Sequence, residues 1–304
     1  MLVVALTIAP IFLIIVAGFV LRHTRLFPAE SWPPVERLTY YVLFPSLLFG
    51  NLSTADLSNL PVGGMAAGVI GAPLLMTIAL MIVRPKLSID GPGFTSLVQG
   101  AVRFNLYLGI PLAIAFYGSA SVALAALFIA FMVPFINMVS VWVLAKYGAS
   151  DASTLDAAKQ MCTNPLVLAC LAGILVNVSG IGLAQPVEAV LNLVSRAAPP
   201  VGLLCVGAGL DLVAARDGRV WVALSAVLKL AVMPLIALGI AQAFGVTGVS
   251  ATVLVLFHAL PTAPSAYIMA RQLGGDARLM AGILTAQIAL SALTLPAWIS
   301  ILGR

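Results

Sequence analysis

The sequence predicts an all-α integral membrane protein with ten transmembrane helices, arranged as two five-helix repeats of opposite orientation. Three observations predict this fold class: a strongly apolar composition, ten apolar runs of spanning length, and basic residues concentrated in alternate connections. Hydrophobic residues make up 62% of the 304 residues, charged residues make up 8%, and the mean hydropathy is +1.13. A soluble domain carries more charge on its surface, so we expect this chain to lie in a lipid bilayer.

The apolar runs set the number of helices. Crossing a hydrocarbon core of about 30 Å takes about 20 helical residues. The ten predicted segments are residues 2–22, 37–54, 62–83, 93–117, 121–145, 163–182, 187–212, 219–243, 249–272 and 277–302. The first segment lacks a basic leader and a small-residue cleavage site, so we interpret it as a transmembrane helix and not as a signal peptide.

The basic residues predict the orientation of the chain. Eleven of the 15 Lys and Arg residues lie in alternate connections, namely Arg22, Arg25, Arg37, Arg84, Lys86, Lys146, Lys159, Arg216, Arg219, Arg271 and Arg278. The other connections, near residues 56–61, 118–121, 183–187 and 244–249, contain none. By the positive-inside rule, we expect a multi-pass protein of the cell (inner) membrane with both termini extracytoplasmic. The basic residues form no single patch, so nucleic acid is not an expected partner.

Matched spacings between the two halves indicate an internal repeat. Pro45 and Pro200 are 155 residues apart, and so are Asp56 and Asp211. The predicted domains are residues 1–146 for the N-terminal repeat, 147–162 for a cytoplasmic linker and 163–304 for the C-terminal repeat. Because each half has an odd number of segments, the second half must insert upside down, as in many secondary transporters.

Prolines near the middle of two segments predict broken helices. The ninth segment contains Pro261 and Pro264, and the fourth contains Pro111. A proline removes a backbone donor, and the carbonyl groups that it frees are tolerated at membrane depth only beside protein or a polar cavity. We therefore predict that segments 4 and 9 are broken and cross, and that an anion or a cation binds at the crossing. The alternative is that the prolines only kink two packed helices.

At these positions the sequence resembles a known family, the auxin efflux carriers, which include plant PIN exporters and bacterial malonate-type permeases. The resemblance covers essentially the whole chain and is carried by "RFNLYLGIP", "FMVPFINMVSV", "KLAVMP" and "PTAPSAYIMARQLGGD" in segments 4, 5, 8 and 9. It implies a fold related to bile acid transporters and sodium/proton antiporters. In that fold a scaffold of helices 1, 2, 6 and 7 forms a homodimer, and helices 3–5 and 8–10 form a transport domain that moves as an elevator. It also implies a substrate site at the crossing that contains Asn105 and Asn137.

Three cationic or titratable side chains lie deep in the segments and indicate the charge of the substrate. Arg103, Lys229 and His258 fall near segment centres, where a charge costs about 2.5–3.5 kcal/mol, and no Asp or Glu is equally deep. A small organic anion such as a carboxylate would supply the missing negative charge. His258 could carry a coupled proton. In the alternative interpretation, Lys229 binds carbonyl groups of a broken helix and His258 is a neutral core residue.

Two further features complete the candidate site. Arg103 and Asn105 lie about 200° apart on an ideal helix, so they share a cavity only if the helix unwinds there. Gln287, in segment 10, is a polar neighbour of the crossing and could instead join helices to each other. The predicted substrate-binding residues are Arg103, Asn105, Pro111, Asn137, Lys229, His258, Pro261, Pro264 and Gln287.

The sequence argues against an enzyme. It contains no zinc-protease, magnesium-pyrophosphate or P-loop motif, and its three cysteines have no metal-ligand spacing. We expect no cofactor and no metal. The predicted function is a secondary transporter of a small organic anion. The alternatives are an ion-coupled carrier of an uncharged solute, a channel or a membrane receptor.

Overall fold

The computed structural model describes residues 2–55, 62–118, 121–149, 164–216 and 218–302. Within these residues the chain forms helices and connecting turns, without a β-strand. Three sequence-based predictions concern residues outside the described ranges: the role of Asp56 in the repeat, the position of Lys159, and the linker from residue 150 onward.

Fifteen α-helices make up the described part of the chain. They are α1 (Leu2–His23), α2 (Trp32–Leu38), α3 (Phe44–Thr54), α4 (Val62–Val83), α5 (Gly91–Val102), α6 (Leu106–Tyr117), α7 (Ser121–Tyr147), α8 (Pro165–Ser179), α9 (Gln185–Ser195), α10 (Ala198–Ala208), α11 (Arg219–Val227), α12 (Met233–Ala243), α13 (Gly248–Ala259), α14 (Pro264–Gln272) and α15 (Ala277–Leu302). Two π-helical turns, Thr39–Leu43 and Leu228–Val232, connect α2 to α3 and α11 to α12.

The length and composition of these helices confirm a multi-pass membrane protein. Seven described stretches are long and apolar enough to cross a bilayer, namely Leu6–His23, Gly63–Lys86, Gly91–Tyr117, Ser121–Tyr147, Gln185–Ala208, Arg219–Ala243 and Ala277–Leu302. An eighth is possible if α13 and α14, which are bent by 47°, form one span. The second predicted segment is divided among shorter helices, and the sixth corresponds to the 15-residue α8. The count of ten spans therefore stays a prediction.

Two predicted segments are interrupted, but one break differs from the prediction. The ninth segment is extended over residues 260–263, beside its two prolines. In the fourth segment the break comes at residues 103–105, and Pro111 lies inside the continuous helix α6. Asn105 caps the amino end of α6 with its side chain, and α6 continues through Pro111. The cap, and not the proline, marks the start of the second half-helix.

Another proline shows how this fold satisfies a freed carbonyl group. In a regular helix the N–H of residue 234 would bond to the carbonyl of Leu230, but Pro234 has no N–H. The indole Nε1 of Trp298, on α15, donates to the Leu230 oxygen at 2.8 Å. This carbonyl group belongs to the π-helical turn that carries Lys229. A side chain from another helix thus replaces the backbone donor.

Glycines allow very close packing between two pairs of helices. A Cβ atom at Gly207 of α10 would lie 1.8 Å from the carbonyl oxygen of Ile15 on α1. At Gly173 of α8 it would lie 2.9 Å from the carbonyl oxygen of Phe49 on α3. Both distances are too short for any side chain, so substitution of either glycine would push the paired helices apart.

Candidate functional site

At the first helix break, between α5 and α6, a buried guanidinium group donates hydrogen bonds to several neutral partners. Arg103 is only 7% exposed. Its Nη1 donates to the hydroxyl of Ser140 at 3.0 Å and lies 3.1 Å from the sulfur of Met269. Its Nη2 donates to Asn137 Oδ1 and to Ser265 Oγ, both at 3.1 Å. The guanidinium group therefore joins the first break to α7 and to the start of α14.

No carboxylate is among these partners in the described part of the chain. Neutral dipoles stabilise a guanidinium ion but do not cancel its charge, so the site is electropositive. Burial in a low-dielectric interior strengthens its attraction for an anion. Arg103 Nε is also buried and has no hydrogen-bond partner among the described residues. One edge of the guanidinium group thus has a donor that no described protein group uses.

A tyrosine from the second predicted segment faces this charge. Tyr40 lies in the π-helical turn Thr39–Leu43 and within electrostatic range of Arg103. Its hydroxyl accepts a hydrogen bond of 2.9 Å from the side-chain amide of Asn164, at the start of α8. A π-helical turn inserts one residue into a helix and often occurs at functional sites. Tyr40 is thus a second, partly exposed polar group within electrostatic range of Arg103.

Asn105 has two roles in the geometry of the break. Its Oδ1 accepts hydrogen bonds from the backbone N–H groups of Tyr107 and Leu108, at 3.1 and 3.4 Å, and so caps α6. Its Nδ2 is buried and has no partner among the described residues. The oxygen is used by the fold, whereas the amide N–H groups can donate to a ligand.

Sequence reasoning identified part of this cluster and missed part of it. The structure brings together Arg103 and Asn137, two of the predicted site residues. It adds Ser140 and Ser265, which the sequence analysis did not select. Ser140 lies three residues after Asn137 on the same helix face, and Ser265 directly follows Pro264. Both signals were present in the sequence, but short hydroxyl side chains are common in membrane helices and are not specific.

Gln287 lies in the core and bonds to protein groups with both ends of its amide. Its Oε1 accepts from the N–H of Thr262 at 2.8 Å. Its Nε2 donates to the carbonyl oxygen of Gly100 at 3.0 Å and to the hydroxyl of Ser225 at 3.0 Å. Gln287 thus contacts residues beside both helix breaks, and its place in a substrate site stays a prediction. The contacts themselves favour a role in joining helices over direct contact with a substrate.

No hydrogen bond joins Lys229 or His258 to the Arg103 cluster in the described part of the chain. Both are fully buried and interact electrostatically with each other. His258 Nδ1 donates to the carbonyl oxygen of Leu254 at 2.8 Å. Lys229 Nζ has no hydrogen-bond partner among the described residues. The deep cations that the sequence grouped together thus occupy two environments.

The three predicted prolines also differ in position. Pro261 is buried in the second break, and Pro264 begins α14 next to Ser265. Pro111 follows Asn105 by six residues, about 9 Å along α6. The second break therefore borders the Arg103 cluster, whereas Pro111 lies further along its own helix. In the described residues, no three His, Cys, Asp or Glu side chains are placed to hold a metal ion.

Polytopic helices with a buried cation at a helix break are typical of one class of protein, the membrane transporters. Comparison with known sequences agrees with this class. The "Membrane transport protein" family matches residues 152–299. The chain is also 25% identical over 300 residues, 96% of each sequence, to a protein of Methanothermobacter thermautotrophicus named "Uncharacterized transporter". The chain is a transport protein and not an enzyme. The two matches support its assignment to the auxin efflux carrier family, as the motifs predicted.

Proposed function

We propose that the protein is a secondary transporter that moves a small organic anion, a carboxylate, through a site at the two helix breaks. The observation that carries this proposal is the buried guanidinium group of Arg103, whose hydrogen-bond partners in the described residues are all neutral. A positive charge at this depth is costly until an opposite charge joins it. A substrate carboxylate supplies this negative charge when it binds, and the negative charge is lost from the site when the substrate dissociates after transport.

The available donors also fit a carboxylate. Arg103 Nε and Asn105 Nδ2 are buried and without partners among the described residues. A carboxylate has two oxygen atoms and about four acceptor positions, and pairs well with guanidinium N–H groups. An uncharged solute would leave the charge of Arg103 uncompensated. This difference favours an anion over the neutral solute that the sequence left as an alternative.

For the transport mechanism, we propose ten helices in a five-plus-five inverted repeat, with elevator motion. The close helix pairs α1 with α10 and α3 with α8 correspond to the predicted scaffold. Arg103 and its partners on α7 and α14 belong to the predicted transport domain, whereas Tyr40 belongs to the scaffold. A site at such a boundary can change its access when one domain slides along the other. The resemblance further suggests a homodimer through the scaffold, and both termini on the extracytoplasmic side.

The test compares charged and uncharged ligands on the wild type and on Arg103→Gln. Suitable probes are malonate with malonamide, and indole-3-acetate with indole-3-acetamide. We expect the wild type to bind one of the carboxylates and to bind its amide poorly. Loss of a charge-assisted hydrogen bond costs about 1.5–3 kcal/mol, so Arg103→Gln should weaken binding of the carboxylate by about 10-fold to 150-fold.

The control is Arg196→Gln, which removes an exposed cation on the predicted scaffold and should leave binding unchanged. Uptake by proteoliposomes should saturate and show countertransport, which a channel does not. Equal binding of acid and amide, with normal binding by Arg103→Gln, would contradict the proposal.

A further inference from the structure

We propose that Gln287 is a positioning residue that joins the two helix breaks and so holds Ser265 against Arg103. This inference rests on the proposed anion site. Gln287 is fully buried in α15, a helix that is continuous past both breaks. It contacts the two breaks and α11 with one amide group.

Two of the backbone groups that Gln287 binds, at Gly100 and Thr262, are groups that the breaks deprive of partners; it also donates to the carbonyl oxygen of Ser225, at 3.2 Å. In a continuous helix the carbonyl of Gly100 would accept from the N–H of Phe104, but α5 ends at Val102. Thr262 lies in the extended stretch between α13 and α14, so its N–H has no helical acceptor. Buried backbone groups without partners are rare and costly. Gln287 satisfies both, at 3.0 Å and 2.8 Å.

The hydrogen bonds of Gln287 to Gly100 and Thr262 are called the bridge below. Their positions along the chain connect the bridge to the binding site. Gly100 precedes Arg103 by three residues, and Thr262 precedes Ser265 by three residues. The same two chain segments are therefore joined by Gln287, by the hydrogen bond of 3.4 Å that Thr262 Oγ1 donates to the Gln99 carbonyl oxygen, and by the contact of 3.1 Å between Arg103 Nη2 and Ser265 Oγ. With one end of each segment fixed by Gln287, a separation of three residues leaves little freedom at the other end.

The chemistry of the contacts explains the residue type. One end of the side chain must accept from an N–H while the other donates to a carbonyl oxygen and to the hydroxyl of Ser225. A carboxamide does both without charge. An aliphatic side chain does neither, and an ionised carboxylate cannot donate. Asparagine has the same group on a side chain shorter by one methylene.

The test measures hydrogen exchange of the substrate-free protein in detergent, for segments 99–106 and 259–265. Gln287→Leu should accelerate exchange in both segments together, by about 10-fold to 100-fold, because each loses a buried hydrogen bond. Gln287→Asn keeps the polar group and should fold normally. In at least one of the two segments, it should accelerate exchange less than Gln287→Leu does. Ser291→Ala is the matched control on the same helix, since its hydroxyl donates within α15 to Ile288. It should leave both segments unchanged.

A second measurement connects the bridge to ligand binding. Malonate should bind Gln287→Leu about 10-fold more weakly than wild type, whereas Ser291→Ala should bind it normally. If Gln287→Leu exchanges like the wild type, or accelerates only one segment, Gln287 does not join the breaks. If malonate and indole-3-acetate bind no better than their amides while both segments accelerate, the anion assignment fails and the bridge stands. Normal anion binding by a Gln287→Leu protein with both segments loosened would remove the positioning role.

Discussion

At the scale of single residues, the site depends on side chains that serve the fold with one atom and leave another available. Asn105 is the clearest case, because its oxygen caps α6 while its amide nitrogen has no partner in the described residues. Sequence reasoning alone suggests that Asn105→Ala would affect binding and leave stability intact. The cap changes this expectation, since removing an N-cap side chain costs about 0.5–2 kcal/mol.

Asn105→Ala and Asn105→Ser therefore separate the two roles. Serine is a good N-cap and alanine is not, whereas neither has an amide donor. We expect both variants to weaken carboxylate binding, and only Asn105→Ala to lower the melting temperature clearly. Thermal unfolding in detergent and ligand titration measure the two effects. Equal melting temperatures for the two variants would show that the cap contributes little.

At the scale of helices, the fold replaces backbone donors lost at prolines with side-chain donors from neighbouring helices. Trp298 donates to the Leu230 carbonyl that Pro234 leaves without a helical partner. Trp298→Phe keeps the aromatic packing but removes this donor. We expect a destabilisation of about 1–3 kcal/mol, the cost of an unsatisfied buried carbonyl group.

A double-mutant cycle with Pro234→Ala tests the cause of this effect. Alanine at position 234 restores a backbone N–H, so the cost of Trp298→Phe should shrink in that background. Melting temperatures of the four proteins provide the measurement. An identical cost in both backgrounds would mean that Trp298 contributes through packing and not through the hydrogen bond.

At the scale of the whole molecule, the basic residues predict which side each turn faces. Ser88 follows Arg84 and Lys86 in a basic connection, and Thr247 precedes α13 in a connection without charges. Both side chains are exposed. By the positive-inside rule, Ser88 should face the cytoplasm and Thr247 the outside.

Cysteine labelling in intact cells tests this orientation. In a background without Cys162, Cys170 and Cys205, a membrane-impermeant maleimide should react with Thr247→Cys and not with Ser88→Cys. Permeabilised cells should label both, which controls for accessibility. The reverse pattern in intact cells would overturn the orientation and the proposed inverted repeat with it.

The sequence alone determined that the protein lies in a membrane, is helical and transports a solute. It also located Arg103, Asn105 and Asn137 as candidate site residues, through their depth and the family motifs. These properties are readable because transfer into lipid acts on each segment separately, through its own length and apolar content. A charge in such a segment is conspicuous whatever surrounds it.

The tertiary structure decided where the helices break and which side chains meet. The first break follows Val102 and not Pro111: Asn105 caps the amino end of α6 with its side chain, and α6 continues through Pro111. The contact between Arg103 and Ser265 joins residues 162 positions apart, and that between Gln287 and Gly100 spans 187. Hydrogen bonds depend on distance and direction within a few tenths of an ångström. Local sequence patterns contain no such information about residues that are distant along the chain.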